Sequence, residues 1–332
     1  MSTFKPRRPE SAAPSPAATI TAAIVARLEA GVKPWIRPWR CAASARPLRA
    51  CGTPYRGINV FWLWLVADCQ GYRSPTWMTY RQAQALGGQV RKGEHASIAV
   101  FYKCYTQRNG DAEACVELGA EGDGQSQQRR VLKSYAIFNA DQIEGLPARF
   151  ALPEPEDAGV AQPAGREAAL DAFFAAIPAD VRHCGDQAYY EPLIDRITMP
   201  PPSLFDSYDH YYATLAHEMS HFSGHESRLN RNLKHRFGTS AYAAEELIAE
   251  LSSAMLGAEL GLPVAHLDHH ASYIDHWLTL LRSDDRAILT AAARAEEASD
   301  LLLRLGGRRV AEAGEGARGD RPAGEGRERE RG

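Results

Sequence analysis

The pentapeptide His217-Glu218-Met219-Ser220-His221 sets two imidazoles four residues apart with a carboxylate beside the first. On an α-helix, residues four apart share a face, so both rings can be aimed at one point in space. Glu218, one step round the helix, can address a water there without itself ligating. Two nitrogen donors, an open position and a carboxylate to take a proton are what a water-activating hydrolase requires. The cation this predicts is Zn²⁺, with Mn²⁺ or another divalent ion as the alternative. Random placement in a chain of this composition would give roughly 0.03 copies of the H-E-x-x-H pattern, so chance explains it poorly.

A third protein donor has to come from another segment. In "AEELIAELSSAM", Glu246 and Glu250 again lie four apart. One can ligate while the other orients a ligating histidine from behind. Glu246 is assigned to the metal and Glu250 to the N–H of His217 or His221, although helical spacing alone also allows the reverse. His225 or His235, in "GHESRLNRNLKHRFG", could replace Glu246 as the third ligand, as in zincins that use three histidines. Ala249, Ser253, Ala254 and Gly257 would let this helix approach the first closely. Tyr211 and Tyr212 could offer a hydroxyl to a developing oxyanion, although core packing is the commoner use of such residues. Arg228 and Arg231 could contact substrate or an acidic neighbour, although solvation is the commoner state of such residues, and "DRITMP" reads as an edge strand able to hold an extended peptide, with Asp195 to Met199 flanking the cleft.

Several elements must position these groups. The motif falls inside a helix spanning "SLFDSYDHYYATLAHEMSHFSG", with Ser203 or Asp206 as N-cap and Gly224 as the stop. A helix over "REAALDAFFAAI" and short strands "DQAYYEP" and "DRITMP" precede it. Helices over "SAYAAEELIAELSSAMLGAELG", "ASYIDHWLTLLR" and "DRAILTAAARAEEASDLLLRL" follow. Upstream, "TITAAIVARLEAG", "YRGINVFWLWLVA" and "TYRQAQALGG" read as helices. Two strand-like runs, "SIAVFYKCYT" and "RRVLKSYAIFN", flank an acidic Gly-rich insert that reads as a long hairpin loop.

A chain of 332 residues exceeds one ordinary core, so two domains are expected. The Gly-, Pro- and Ala-rich stretch "EPEDAGVAQPAGRE" marks the boundary. The resulting layout is a disordered arm over 1–18, a small α+β domain with one antiparallel sheet over 19–150 and a linker over 151–166. A mainly helical domain with a short antiparallel sheet covers 167–306, and a disordered tail 307–332. The fold class is therefore α+β. No apolar run reaches the roughly 20 residues of a membrane span, and the N-terminus lacks the apolar core of a secretory signal. Six cysteines without a C-x-x-C pair suit a reducing compartment, so cytoplasmic residence is the expectation. A zinc site from Cys41 and Cys51 fits no common ligand spacing.

The net charge of −3 conceals an asymmetry: residues 1–147 carry +8 and the remainder −11. A basic module can merely present a solvated face, but this one interleaves its cations with aromatic rings, as grooves for single-stranded nucleic acid do. The candidate DNA-binding residues are Lys33, Trp35, Arg37, Trp39, Arg56, Trp77, Arg81, Arg91, Lys92 and Lys103. Trp62 and Trp64 are assigned to the core.

Taken together, "PW" at 34–35 and 38–39, "YRGIN" at 55–59, "TWMTYRQAQALGGQVRKGE" at 76–94, "VFYK" at 100–103, "FNADQIEG" at 138–145, "YYATLAHEMSHFSGHESRLNR" at 211–231 and "YAAEELIAELSSAMLGAELG" at 242–261 resemble the ArdC-like antirestriction proteins of conjugative plasmids. The resemblance implies an N-terminal single-stranded-DNA-binding domain and a C-terminal zincin-like metallopeptidase domain with two histidines and a glutamate on the metal. It further implies protection of incoming plasmid DNA from restriction, and an unidentified peptide or protein substrate. The N-terminal part is also similar to a domain of plasmid primases. The acidic insert and the charged tail depart from the family pattern. Two rivals to a DNA-tethered peptidase stand beside it. One is a non-catalytic DNA-coating protein whose metal domain is structural or occluding. The other is DNA processing by the metal centre itself, which carboxylate-rich two-metal sites usually perform.

Overall fold

The computed structural model describes residues 14–35, 46–108, 111–115, 128–151, 165–231, 233, 239–262 and 273–309. Residues up to 100 together with 134–309 form one compact unit, and 101–133 belong to a second. The expected linker falls mostly outside the described residues.

Helix α1 (Pro16–Glu29) starts where Ser15 accepts a hydrogen bond from the Ala18 N–H, and it buries Ile20, Ile24 and Leu28 on one face. Strand β1 (Leu48–Arg49), helix α2 (Ile58–Gln70), strand β2 (Thr76–Met78), helix α3 (Tyr80–Ala85) and strand β3 (Gln89–Val90) follow. Thr79 and Gln82 close a capping box on α3, each side chain satisfying the other's backbone N–H. Strands β4 (Ser97–Arg108), β5 (Asp111–Cys115), β6 (Gln128–Asn139) and β7 (Ile143–Glu144) complete the first half. The larger sheet runs β1-β2-β6-β4-β5, and β3 pairs with β7 separately. Since β1 lies parallel to β2, this sheet is mixed where an antiparallel one was expected. Part of the anticipated hairpin loop is itself strand, β5 pairing with β4 from Cys104 opposite Cys115 outward.

Two of the recognisable stretches act as polar staples. Asn59 exchanges both amide hydrogen bonds with the backbone of Val100, fixing α2 on β4. Asn139 caps the turn after β6 and donates to the Ser74 carbonyl, while Gln142 donates to Glu94 and to the His95 carbonyl.

The second half comprises α4 (Arg166–Ala176), β8 (Asp180–His183), β9 (Tyr189–Glu191), β10 (Arg196–Met199), α5 (Tyr208–Ser223), α6 (Ser240–Leu260), α7 (Ile274–Ser283) and α8 (Ala287–Leu305). Helix α6 is buried along nearly its whole length and touches α5, α7 and α8. The N-cap of α5 is Ser207, not Ser203 or Asp206, because the Ser207 hydroxyl reaches the His210 N–H; Gly224 ends the helix as expected. Strand β10 is central, not an edge: it is parallel to β8 and antiparallel to β9, so β8 and β9 are the two edge strands of this sheet among the described residues. Sequence reading missed β8 and therefore the mixed character of this sheet.

Cations from the first half meet anions from the second. Arg46, 5% exposed, pairs with Glu296 and with Glu259 at 2.9 Å. Arg56 pairs with Asp300 and Glu296, and the Gly57 N–H donates to Glu296. Near the end of α8, a Cβ built on Gly306 would lie 2.1 Å from Cε2 of Phe173, a buried ring on α4. Overpacking of that kind costs about 1–3 kcal/mol. Gly306→Ala is therefore expected to lower the urea midpoint by a corresponding amount with the m-value unchanged.

Candidate metal centre

Helix α5 presents His217 and His221 on one face, their ring centroids 4.9 Å apart and nearly perpendicular. Helix α6 brings Glu246 between them. His217 Nε2 lies 3.7 Å from Glu246 Oε2, and His221 Nε2 lies 3.7 Å from Glu246 Oε1. One donor atom from each of the three residues falls within 4.8 Å of the others, the sole such trio of His, Cys, Asp or Glu donors among the described residues. Metal–donor bonds of about 2.0–2.2 Å at tetrahedral angles place donors roughly 3.4 Å apart, so this set fits a divalent cation with small adjustment. Helix α6 packs on α5, and its small residues Ala249, Ser253, Ala254 and Gly257 are all buried.

Glu250 lies behind His217, fully buried, with Oε2 3.8 Å from Nδ1. That is the side of the ring turned away from Glu246, and it favours Glu246 over Glu250 as the donor facing the cation. His225 is not part of the trio: its Nδ1 engages the Ser227 hydroxyl at 2.8 Å. His235 lies outside the described residues.

Sequence reading missed Glu245. Its Oε1 is 3.3 Å from His221 Nδ1, and Arg231 grips both of its oxygens at 2.8 and 3.0 Å. Arg231 is only 7% exposed, so solvation is corrected in favour of the acidic neighbour that was its alternative. Arg228 is likewise engaged, stacking over Phe222 at 3.5 Å from the ring centre and pairing with Asp195. Period-four spacing from Glu246 could not reveal Glu245; the signal would have been a carboxylate adjacent to the ligand and turned toward the outer histidine.

Glu218 is 6% exposed and lines a cleft of about 580 Å³ with both histidines, Glu246, Tyr242 and Tyr273. Burial pushes its carboxyl above the usual range, against the opposing pull of His217 and His221, and the Tyr190 backbone N–H also favours its charged form. Burial opposes a charge on Glu246 too, but hydrogen bonding from His217, the charges of both histidines and the Tyr242 hydroxyl bring it down to about 2. Tyr211 and Tyr212 are not the cleft's hydroxyl donors: Tyr211 meets His183 at 2.9 Å and Tyr212 donates to Asp171 at 2.5 Å. The cleft instead holds Tyr242 and Tyr273, whose hydroxyls are 3.1 Å apart, and burial raises the pKa of both.

The first-half candidates divide. Trp35 and Trp77 are 0% and 1% exposed, so neither offers a ring face to a base in this structure. Lys33 is buried against Glu250, and Arg56 is committed to α8. Lys33, Trp35 and Trp77 are corrected from DNA-facing to internal, because an acidic partner and the core take them up, while Arg56, a third exposed, is engaged by the carboxylates of α8. Arg81, Arg91 and Lys92 are exposed, Arg91 in an ion pair with Glu94. Arg37, Trp39 and the Lys103 side chain lie outside the described residues.

Comparison with known proteins gives a consistent result. Residues 15–138 match the family model for the N-terminal domain of anti-restriction factor ArdC, and residues 168–294 that for a zincin-like metallopeptidase. The chain is 44% identical to the antirestriction ArdC protein from plasmid R388 in its metal-free crystal structure, with a TM-score of 0.72, covering 88% of this chain and 98% of that one. A Mn(II)-bound structure of the same protein aligns at 43% identity and a TM-score of 0.70 over the same shares. The uncharacterized protein y4eC of Sinorhizobium fredii (strain NBRC 101917 / NGR234) is 42% identical over 75% of this chain and 77% of its own length. A DNA primase TraC of Escherichia coli is 39% identical over 76% of this chain, which spans only 23% of the primase. With both halves matched, and nearly the whole of a solved relative covered at this identity, the chain belongs to the ArdC antirestriction family.

Proposed function

We propose that this chain is a divalent-metal-dependent peptidase that also holds single-stranded DNA, and that it protects DNA entering by conjugation from restriction. The observation that carries the catalytic reading is the Glu246 carboxylate set 3.7 Å from both Nε2 atoms, with Glu218 buried beside them in an open cleft. His217, His221 and Glu246 would hold the cation, Zn²⁺ by preference for a His₂Glu set and Mn²⁺ as the alternative. Such a cation supplies Lewis-acid polarisation of a carbonyl and acidifies water. Glu218 takes the proton of the attacking water and passes it to the leaving amine. Tyr242 or Tyr273 donates to the developing oxyanion, taking the role first considered for Tyr211 and Tyr212. The free edge of β9, whose Tyr189 and Tyr190 line the cleft, offers backbone groups to an extended peptide. Incubating cation-loaded and chelator-stripped protein with a peptide library tests this reading. Cleavage by the loaded form alone is expected, and cleavage by neither removes the peptidase.

The DNA-binding reading rests on the exposed Arg81, Arg91 and Lys92, on the exposed ring of Tyr80, and on family membership. Each phosphate contact contributes to a salt-dependent affinity. The pair Arg81→Ala and Lys92→Ala is expected to weaken binding of a single-stranded oligonucleotide at low salt. It should also flatten the plot of log affinity against log salt by about 1–2 units. An unchanged slope in a fluorescence-anisotropy titration would locate the DNA surface elsewhere.

A further inference from the structure

The carboxylate behind His217 is held by the other half of the chain. Glu250 Oε1 accepts two hydrogen bonds, from Lys33 Nζ at 3.0 Å and from Trp35 Nε1 at 3.2 Å. Both donors belong to the segment after α1, within the same compact unit as α5 and α6. Lys33 is 8% exposed, Trp35 and Glu250 are fully buried, and Trp35 packs edge-on against Trp277 of α7 at 5.5 Å. The other oxygen of Glu250 faces His217 Nδ1 at 3.8 Å and takes no hydrogen bond from the described residues.

Burying a carboxylate away from water is costly unless charge and hydrogen bonds compensate its lost hydration. Lys33 supplies the charge, and the Trp35 N–H a second bond to the same oxygen. The free oxygen then faces the imidazole nitrogen whose protonation fixes the tautomer of His217 and leaves Nε2 as the donor toward the cation. Outer carboxylates of this kind commonly change metal affinity by about 10–100-fold. Residues 168–294, the span matching the zincin-like family, include Glu250 but neither of its donors.

We infer that Lys33 and Trp35 are positioning residues of the metal centre, acting through Glu250 on His217, so that the N-terminal module completes the site of the C-terminal one. The inference rests on His217, His221 and Glu246 being the metal donors. Its consequence is reciprocal. Whatever displaces the 33–35 segment weakens cation binding, and a bound cation favours the docked segment by the same factor.

The test is a Mn²⁺ titration of the full-length protein by calorimetry, with circular dichroism as the folding control. Lys33→Met should weaken Mn²⁺ binding about 10–100-fold, and Trp35→Phe, which keeps the ring but removes its N–H, several-fold. In a Glu250→Gln background, adding Lys33→Met should change affinity less than twofold, because the group through which Lys33 acts has already lost its charge. That double variant leaves no unpaired buried charge, and the Glu250→Gln background still offers an amide oxygen to Lys33 and Trp35, so the comparison stands even if Lys33→Met alone unfolds. Wild-type affinity in Lys33→Met or Trp35→Phe, or an equal loss in the Glu250→Gln background, overturns the inference while the metal centre stands. Absence of Mn²⁺ binding by the unmodified protein overturns both.

Discussion

Glu218→Gln is expected to lower kcat for peptide cleavage by about 10²–10⁴-fold while cation affinity and single-stranded DNA affinity stay within a few-fold of the parent. The amide keeps the shape of the side chain and can still accept from the Tyr190 N–H, so the packing of α5 against β9 is preserved. What it loses is the capacity to take a proton, and removal of a positioned general base carries a loss of this order. Because Glu218 is not among the three convergent donors, calorimetry should report nearly unchanged Mn²⁺ binding. The same variant separates the two uses of the chain. Introduced into a strain receiving a transferred plasmid, it should fail to protect the DNA if hydrolysis is the operative step. Undiminished protection would leave DNA coating as the function and make the metal domain a structural or occluding module.

The centre was legible in the sequence to the extent that one helix's periodicity determines it. His217 with His221, and Glu246 with Glu250, each lie four apart on elements whose caps and apolar stripes are clear, and the structure brings these pairs face to face. What one helix could not show was which flank of a carboxylate row faces which ring. Glu245 was overlooked because its role depends on the rotation of α6 about its axis and on Arg231 arriving from the segment that follows α5. The strand "DRITMP" was misplaced for a related reason: β8 is four residues long and pairs in parallel, so nothing local announces that it covers β10.

Charge was the least local property and misled furthest. The surplus of +8 in the first 147 residues reads as an invitation to a polyanion. Part of it is answered inside the molecule, where Lys33 meets Glu250, Arg46 meets Glu259 and Glu296, and Arg56 meets Asp300. The aromatic interleaving has a similar origin at two positions, since Trp35 and Trp77 fill the core. A composition count cannot distinguish a cation that awaits a phosphate from one already paired with a carboxylate two hundred residues away. Arg81 and Lys92 face solvent, and the proposed DNA binding predicts its salt dependence there.

Glu246→Ala is expected to remove Mn²⁺ binding to below calorimetric detection, a larger loss than any variant in the surrounding shell. Among the described residues Glu246 alone faces both Nε2 atoms, and deleting its carboxylate leaves two imidazole donors with no carboxylate to complete the set. The change also removes the group that Tyr242 engages in the cleft. Glu245→Gln makes the informative contrast. Glu245 touches His221 at Nδ1, away from the cation, and is braced by Arg231. Changing it should cost only the roughly 10–100-fold typical of an outer partner. The two carboxylates are adjacent in sequence and both buried, so a loss due to general disruption of α6 would strike them alike. Titrating both variants with Mn²⁺, with thermal unfolding followed in parallel, therefore ranks them. Parental affinity in the Glu246→Ala variant would move the third donor to another residue and dismantle the His₂Glu assignment.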